Sequence, residues 1–207
     1  MGLGTVALFL LAILAGIGAG VIRGGKARSV LEGKVHARTF GLVCLGLRAI
    51  VGALALRSVG IPRGVGALLL GLALIGLLGV ARANGQLPGV PLLALGLLAN
   101  LLVLVLNLGV PVQADTLQRA SVSVEQPVPH RPDAKHVIDG PGSRLAVLGD
   151  RLAVRPLRTV AGYGDVAELA GLFLLVQWLV IGRARREEDA AHGSPKARTV
   201  PWSTWAD

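Results

Sequence analysis

Five long apolar blocks leave this chain little choice of solvent. A helix needs about 20 mostly apolar residues to cross a ~30 Å hydrocarbon core. Blocks of that kind run from Leu3 to Ile22, Thr39 to Leu56, Val65 to Ala81, Val90 to Leu108 and Val166 to Ile181. They are continuous rather than striped, so none offers a polar face to water. A mean hydropathy of +0.65, with 53% hydrophobic and 16% charged residues, excludes an ordinary soluble domain. In lipid, backbone groups must bond one another, which restricts such blocks to helices. The expected fold class is an all-α integral membrane protein, a five-helix transmembrane bundle. Its organisation is four spans in 1–108, an extracytoplasmic segment at 109–164, a fifth span at 165–182, and a disordered tail at 183–207.

Charge sets the expected orientation. The first block begins without a positive residue and ends in Arg23, Lys26 and Arg28, the reverse of a cleavable signal peptide. That order reads as a retained span with its N-terminus outside. Lys34 and Arg38 extend the same cluster, and Arg183, Arg185 and Arg186 follow the last span. Five crossings put both clusters on one side, which the positive-inside rule makes cytoplasmic. Arg57 and Arg63 fall outside and Arg82 inside; this short pair runs against the rule and is outnumbered. The bilayer is the expected partner, with anionic lipid at Arg183, Arg185 and Arg186. Although the pI is 11.2, no basic run is interleaved with aromatics, so no nucleic-acid partner is expected. No protein partner is specified. Cys44 stands alone inside a span and offers neither a disulfide nor a thiol metal site.

Two polar residues share a depth. Arg48 lies midway along the second block and Asn100 midway along the fourth, with Asn107 seven residues further on. A mid-membrane arginine costs about 2.5–3.5 kcal/mol on insertion scales, so it needs a partner or a wet cavity. Asn100 is the expected partner. One reading is a polar binding site between the spans. The other is a snorkelling arginine with asparagines that glue helices together. Small residues at Ala12, Gly16 and Gly20, and at Ala67 and Gly71, suit close helix packing within the bundle, with a dimer face as the other reading.

The long outer segment carries the remaining chemistry. Asn107, Gly109 and Pro111 form a turn; Asp115 is expected to cap a short helix through Ser121; residues 126–143 should be irregular. Arg144 to Val160 alternates around Gly149-Asp150 and predicts a β-hairpin, after which Asp165 is expected to N-cap the last span. The order Asn-x-Gly-x-Pro-Val at a span end, then Lys135-His136, Arg144-Leu145, Leu148-Gly149-Asp150 and Gly164-Asp165, resembles a family of small bacterial multi-span membrane proteins of unknown function. The resemblance covers residues 100 to 182 and implies a bacterial cell-membrane location and this layout, with no activity. That family has a small hydroxyl residue near the last Gly-Asp, where this chain has Ala161, Gly162 and Tyr163.

Asp150 and Asp165 fall near the expected outer boundary, where a carboxylate pair can share a proton and activate water. The placement is loosely similar to that of the lipoprotein signal peptidases, whose span number and motif order differ. The plainer reading makes Asp165 a helix cap and Asp150 a turn residue. His130 and His136, with Asp133 and Asp139, match no zinc spacing, so no metal is expected. His136 beside Lys135 reads instead as a surface contact to Asp150 or to lipid headgroups. No dinucleotide, phosphate-loop or nucleophile-elbow motif occurs, so no cofactor is expected. The leading functional expectation is a non-enzymatic membrane protein that binds a lipid, peptide or protein partner through the outer segment. Asn107, Lys135, His136, Arg48 and Asn100 are its candidate binding residues. The alternative is a membrane-embedded hydrolase using Asp150 and Asp165.

Overall fold

The computed structural model describes residues 3–56, 63–120 and 136–191. His130, Asp133, Lys135 and the tail residues Trp202 and Trp205 lie outside these residues, as do the side chains of Arg57, Arg63, Arg183, Arg185 and Arg186. The described chain is mostly helical: α1 Leu3–Ile22, α2 Ser29–Glu32, α3 Arg38–Leu56, α4 Arg63–Ala83, α5 Val90–Asn107, α6 Ala114–Arg119 and α7 Tyr163–Ala191. Four stretches within these helices, Gly4–Ile22, Gly64–Ala83, Val90–Asn107 and Tyr163–Gly182, are long and apolar enough to cross a membrane. The 19-residue α3 carries Arg48 near its centre. Outward faces are apolar: Leu14 on α1, Leu68 on α4 and Val105 on α5 are each more than 60% exposed. In water such faces would be large aggregation-prone patches. Against lipid they cost nothing.

The long helices are layered in the order α1, α7, α5, α4, α3. Glycine sets the α5–α7 contact. Gly89 faces Gly171 and Gly96 faces Gly164, each pair seven residues apart on its helix, so all four lie on the facing surfaces. A Cβ on Gly96 would sit 2.5 Å from the Gly164 carbonyl oxygen, so the backbones touch where any side chain would separate them. On the other side of α7, Gly16 and Gly20 of α1 lie against Val176 and Val180. Gly16 and Gly20 of the first block therefore pack within the molecule. Between α3, α4 and α5 the core is Cys44, Val51, Leu70, Leu74, Leu97 and Leu104.

These pairings also fix levels. The start of α5 meets α7 well along its length, and the first turn of α7 lies beside Gly96 to Asn100. Asn100 is seven residues short of the end of α5, or about 10 Å at 1.5 Å per residue. The last long helix thus begins inside the bundle rather than at its rim. A small sheet fills the space above it, in the order β2-β1-β3-β4: β1 Val110–Val112, β2 His136–Ile138, β3 Asp150–Val154 and β4 Thr159–Gly162. β1 runs parallel to β2 and β3, while β3 and β4 form an antiparallel hairpin. The expected hairpin is present but shorter and later than 144–160; residues 146–148 form a 3-10 turn instead. The parallel strands β1 and β2 are a departure from the expected layout, and β2 lies in the stretch expected to be irregular. The sheet is anchored through β4, which is buried along its length; its Thr159 hydroxyl bonds that of Thr5 on α1 at 3.2 Å.

Two asparagines finish the bundle in the same way at opposite ends. Asn107, at the end of α5, accepts from the Arg144 N–H and donates to the Arg144 carbonyl, both at 2.8 Å, and donates to Val103 O. Asn84, just beyond α4, accepts from the His36 N–H at 2.9 Å and donates to His36 O and Val80 O. In each case one amide group clamps a returning strand of chain to the carbonyl-rich end of a helix. Two backbone positions beside the Asn107 clamp are strained. Leu108 and Leu145 hold φ of 50°, where a branched residue costs roughly 1–2 kcal/mol.

Candidate functional site

Arg48 ends up buried at 6% exposure, and its partner is not the one expected. Its guanidinium donates to Glu168 Oε2 of α7 at 2.7 Å and lies 3.6 Å from Asp165 Oδ1. Asn100 bonds the same two carboxylates, donating to Glu168 Oε1 at 2.7 Å and to Asp165 Oδ1 at 3.0 Å. Ionised carboxylates only accept, which fixes the orientation of the amide. Arg48 and Asn100 therefore share a depth and a site, joined through α7 rather than to each other. The Phe9 ring of α1 closes the cluster, 5.6 Å from the guanidinium. α3 packs chiefly on α4, so the Arg48 side chain is what carries α3 across to α7.

Sequence reasoning missed Glu168. The signal was present: a single acidic residue inside the fifth apolar block, three residues after Asp165 and hence on the same helical face. A buried arginine demands a carboxylate before it demands an amide. This one was the nearest in kind.

Asp165 is not the N-cap that the sequence suggests. It is the third residue of α7, and its Oδ2 reaches back to accept from the Gly162 N–H at 3.2 Å. Asp115 is likewise inside α6 rather than capping it: Gln113 holds the cap position, and Asp115 pairs with Arg119 at 2.9 Å on the surface. Asp150, 1% exposed, has its Oδ2 2.9 Å from His136 Nε2. That contact reaches over β1, which lies between the two strands concerned. On its other side, Asp150 Oδ1 is 3.1 Å from where a Cβ on Gly162 would stand. The two aspartates thus flank the Gly162 backbone, one facing the sheet and one facing the bundle. His136 meets Asp150, and Asn100 and Arg48 meet Asp165.

The result is a run of polar groups from partly exposed His136, through Asp150, Gly162 and Asp165, to Asn100, Glu168 and Arg48. Asn107 is a structural clamp, not part of this run. Chemically the cluster holds one buried arginine against two buried carboxylates. Burying charges this way costs several kcal/mol per ion, recovered only when all of them are paired. Among the described residues, no group of three or more metal-ligating side chains is suited to a metal ion.

Fold and cluster together describe a mostly helical protein with several apolar helices compatible with a membrane, in which a polar staple ties the helices to a small sheet. The chain belongs to the family of unknown function DUF5317, which matches residues 34–177 and so includes Arg48, Asn100, His136, Asp150, Asp165 and Glu168. No curated protein and no solved structure matches it.

Proposed function

We propose that this chain is a five-span membrane protein that holds a small sheet on the extracytoplasmic side as a binding platform, and that it is not an enzyme. α3 is the fifth crossing. Its contacts with α4 run antiparallel, Gly41 near Val80 and Gly76 near Phe40 and Cys44, so the helices alternate in direction as successive spans do. The N-terminus and the sheet then lie outside and the basic end of α7 inside, by the positive-inside argument. The observation that carries the platform reading is that protein side chains and backbone already engage both buried carboxylates. Asp150 is held by His136, whereas Asp165 is held by Asn100, Arg48 and the Gly162 N–H. A hydrolytic dyad needs two carboxylates sharing one proton.

Infrared spectroscopy of the full chain, before and after exchange into heavy water, separates the two readings. The platform predicts no protonated-carboxyl band that depends on both aspartates. A band lost in Asp150→Asn and equally in Asp165→Asn would mark a shared proton and favour the hydrolase.

A further inference from the structure

We infer that the lip formed by Leu108, Leu145 and Val147 lies within the bilayer's outer boundary and that Arg144 takes a phospholipid phosphate there. The inference deepens the platform reading by naming a partner class, and it rests on that reading only for the leaflet. Leu108 and Val147 are each 59% exposed and Leu145 45%. Three large apolar side chains at the edge of a polar segment need an apolar neighbour.

Continuity says which one. Leu98, Leu102 and Val105 form an exposed row along α5 at helical spacing, the face that a spanning helix gives to acyl chains. Leu108 extends that row past the helix end. The Asn107 clamp then sets Arg144 and Leu145 directly beside it. The lip is also fixed rather than loose. Arg151 Nε donates to Ala146 O at 2.9 Å, and Gly149 abuts the Pro111 carbonyl. Leu108 and Leu145 both hold a left-handed backbone and both expose their side chains. Arg144 is exposed and next in sequence to Leu145, so a lip set at the outer boundary brings it to the level of the phosphates. A guanidinium matches a phosphate by a two-pronged hydrogen bond.

The test uses the full chain with Cys44→Ala, reconstituted in phosphatidylglycerol vesicles and spin-labelled at single cysteines. Val105→Cys reports acyl-chain contact and Gly140→Cys reports water. The Val147→Cys label should behave like the Val105 label, open to oxygen and shielded from a water-soluble nickel reagent. Adding Arg144→Glu should move it toward the Gly140 pattern, with nickel accessibility regained. A Val147 label open to nickel in the parent overturns the inference. So does one shielded from both reagents, which would mean a protein partner or second copy covers the lip. A label indifferent to Arg144→Glu removes the phosphate contact. These readouts are blind to which leaflet is sampled, so an inverted topology would defeat the platform reading and leave them unchanged.

Discussion

Replacing Arg48 by methionine removes the charge while keeping most of the side chain's length and apolar contact. Two buried carboxylates, Glu168 and Asp165, then lose the guanidinium and keep Asn100, with the Gly162 N–H also on Asp165. Breaking one partner out of a buried ion pair costs about 3–5 kcal/mol, because the remaining charge stays desolvated. Glu168→Gln should cost less, about 1.5–3 kcal/mol, since Arg48 keeps Asp165 at 3.6 Å. In the double variant the loss should fall short of the sum by about 1–3 kcal/mol, the coupling expected of direct contacts. Unfolding of the purified protein by a denaturing detergent, followed by circular dichroism, gives all four corners of the cycle. Asn100→Leu should cost less than Arg48→Met, because it leaves the 2.7 Å ion pair in place. Additive losses, or an Arg48→Met effect within about 0.5 kcal/mol of the parent, would refute the staple.

Three further outcomes follow from the packing. Gly96→Val should separate α5 from α7 and lower stability by about 1–3 kcal/mol, whereas Gly18→Ala, with nothing within 4 Å of its Cβ, should change little in the same assay. Asn84→Ala and Asn107→Ala should each cost about 1–3 kcal/mol, and proteolysis should detect the freed chain near His36 in the first and near Arg144 in the second. His136→Ala should loosen β2 and speed amide exchange across β1 and β2, with His136→Gln partly restoring protection by bonding Asp150.

The apolar blocks were legible because length and hydropathy alone decide them, and the four long apolar helices follow those blocks. Arg48 and Asn100 were legible as a matched pair because burying a guanidinium in an apolar helix is costly enough to demand an explanation. The true partner was hidden because Glu168 sits one turn into a block that otherwise reads as span, and the offset of α7 against α5 places that turn at mid-bundle. Nothing local encodes this offset. It comes from Gly89, Gly96, Gly164 and Gly171, whose significance depends on which helices meet. The parallel strands escaped for a similar reason. β1 and β2 are three residues each, and their pairing spans the stretch from Val112 to His136, so no short-range alternation announces them. The hairpin, by contrast, is local, and its alternation was visible even though its start was misplaced.

Labelling of single cysteines in intact cells, in a Cys44→Ala background, tests the five-span arrangement most directly. A membrane-impermeant maleimide should reach Gly60→Cys and Ser143→Cys from outside, and Ala191→Cys only after permeabilisation. The first site reports whether α3 crosses, the second where the sheet lies, and the third the end of α7. Protection of Gly60→Cys and Ser143→Cys in intact cells, with Ala191→Cys labelled, would contradict the account.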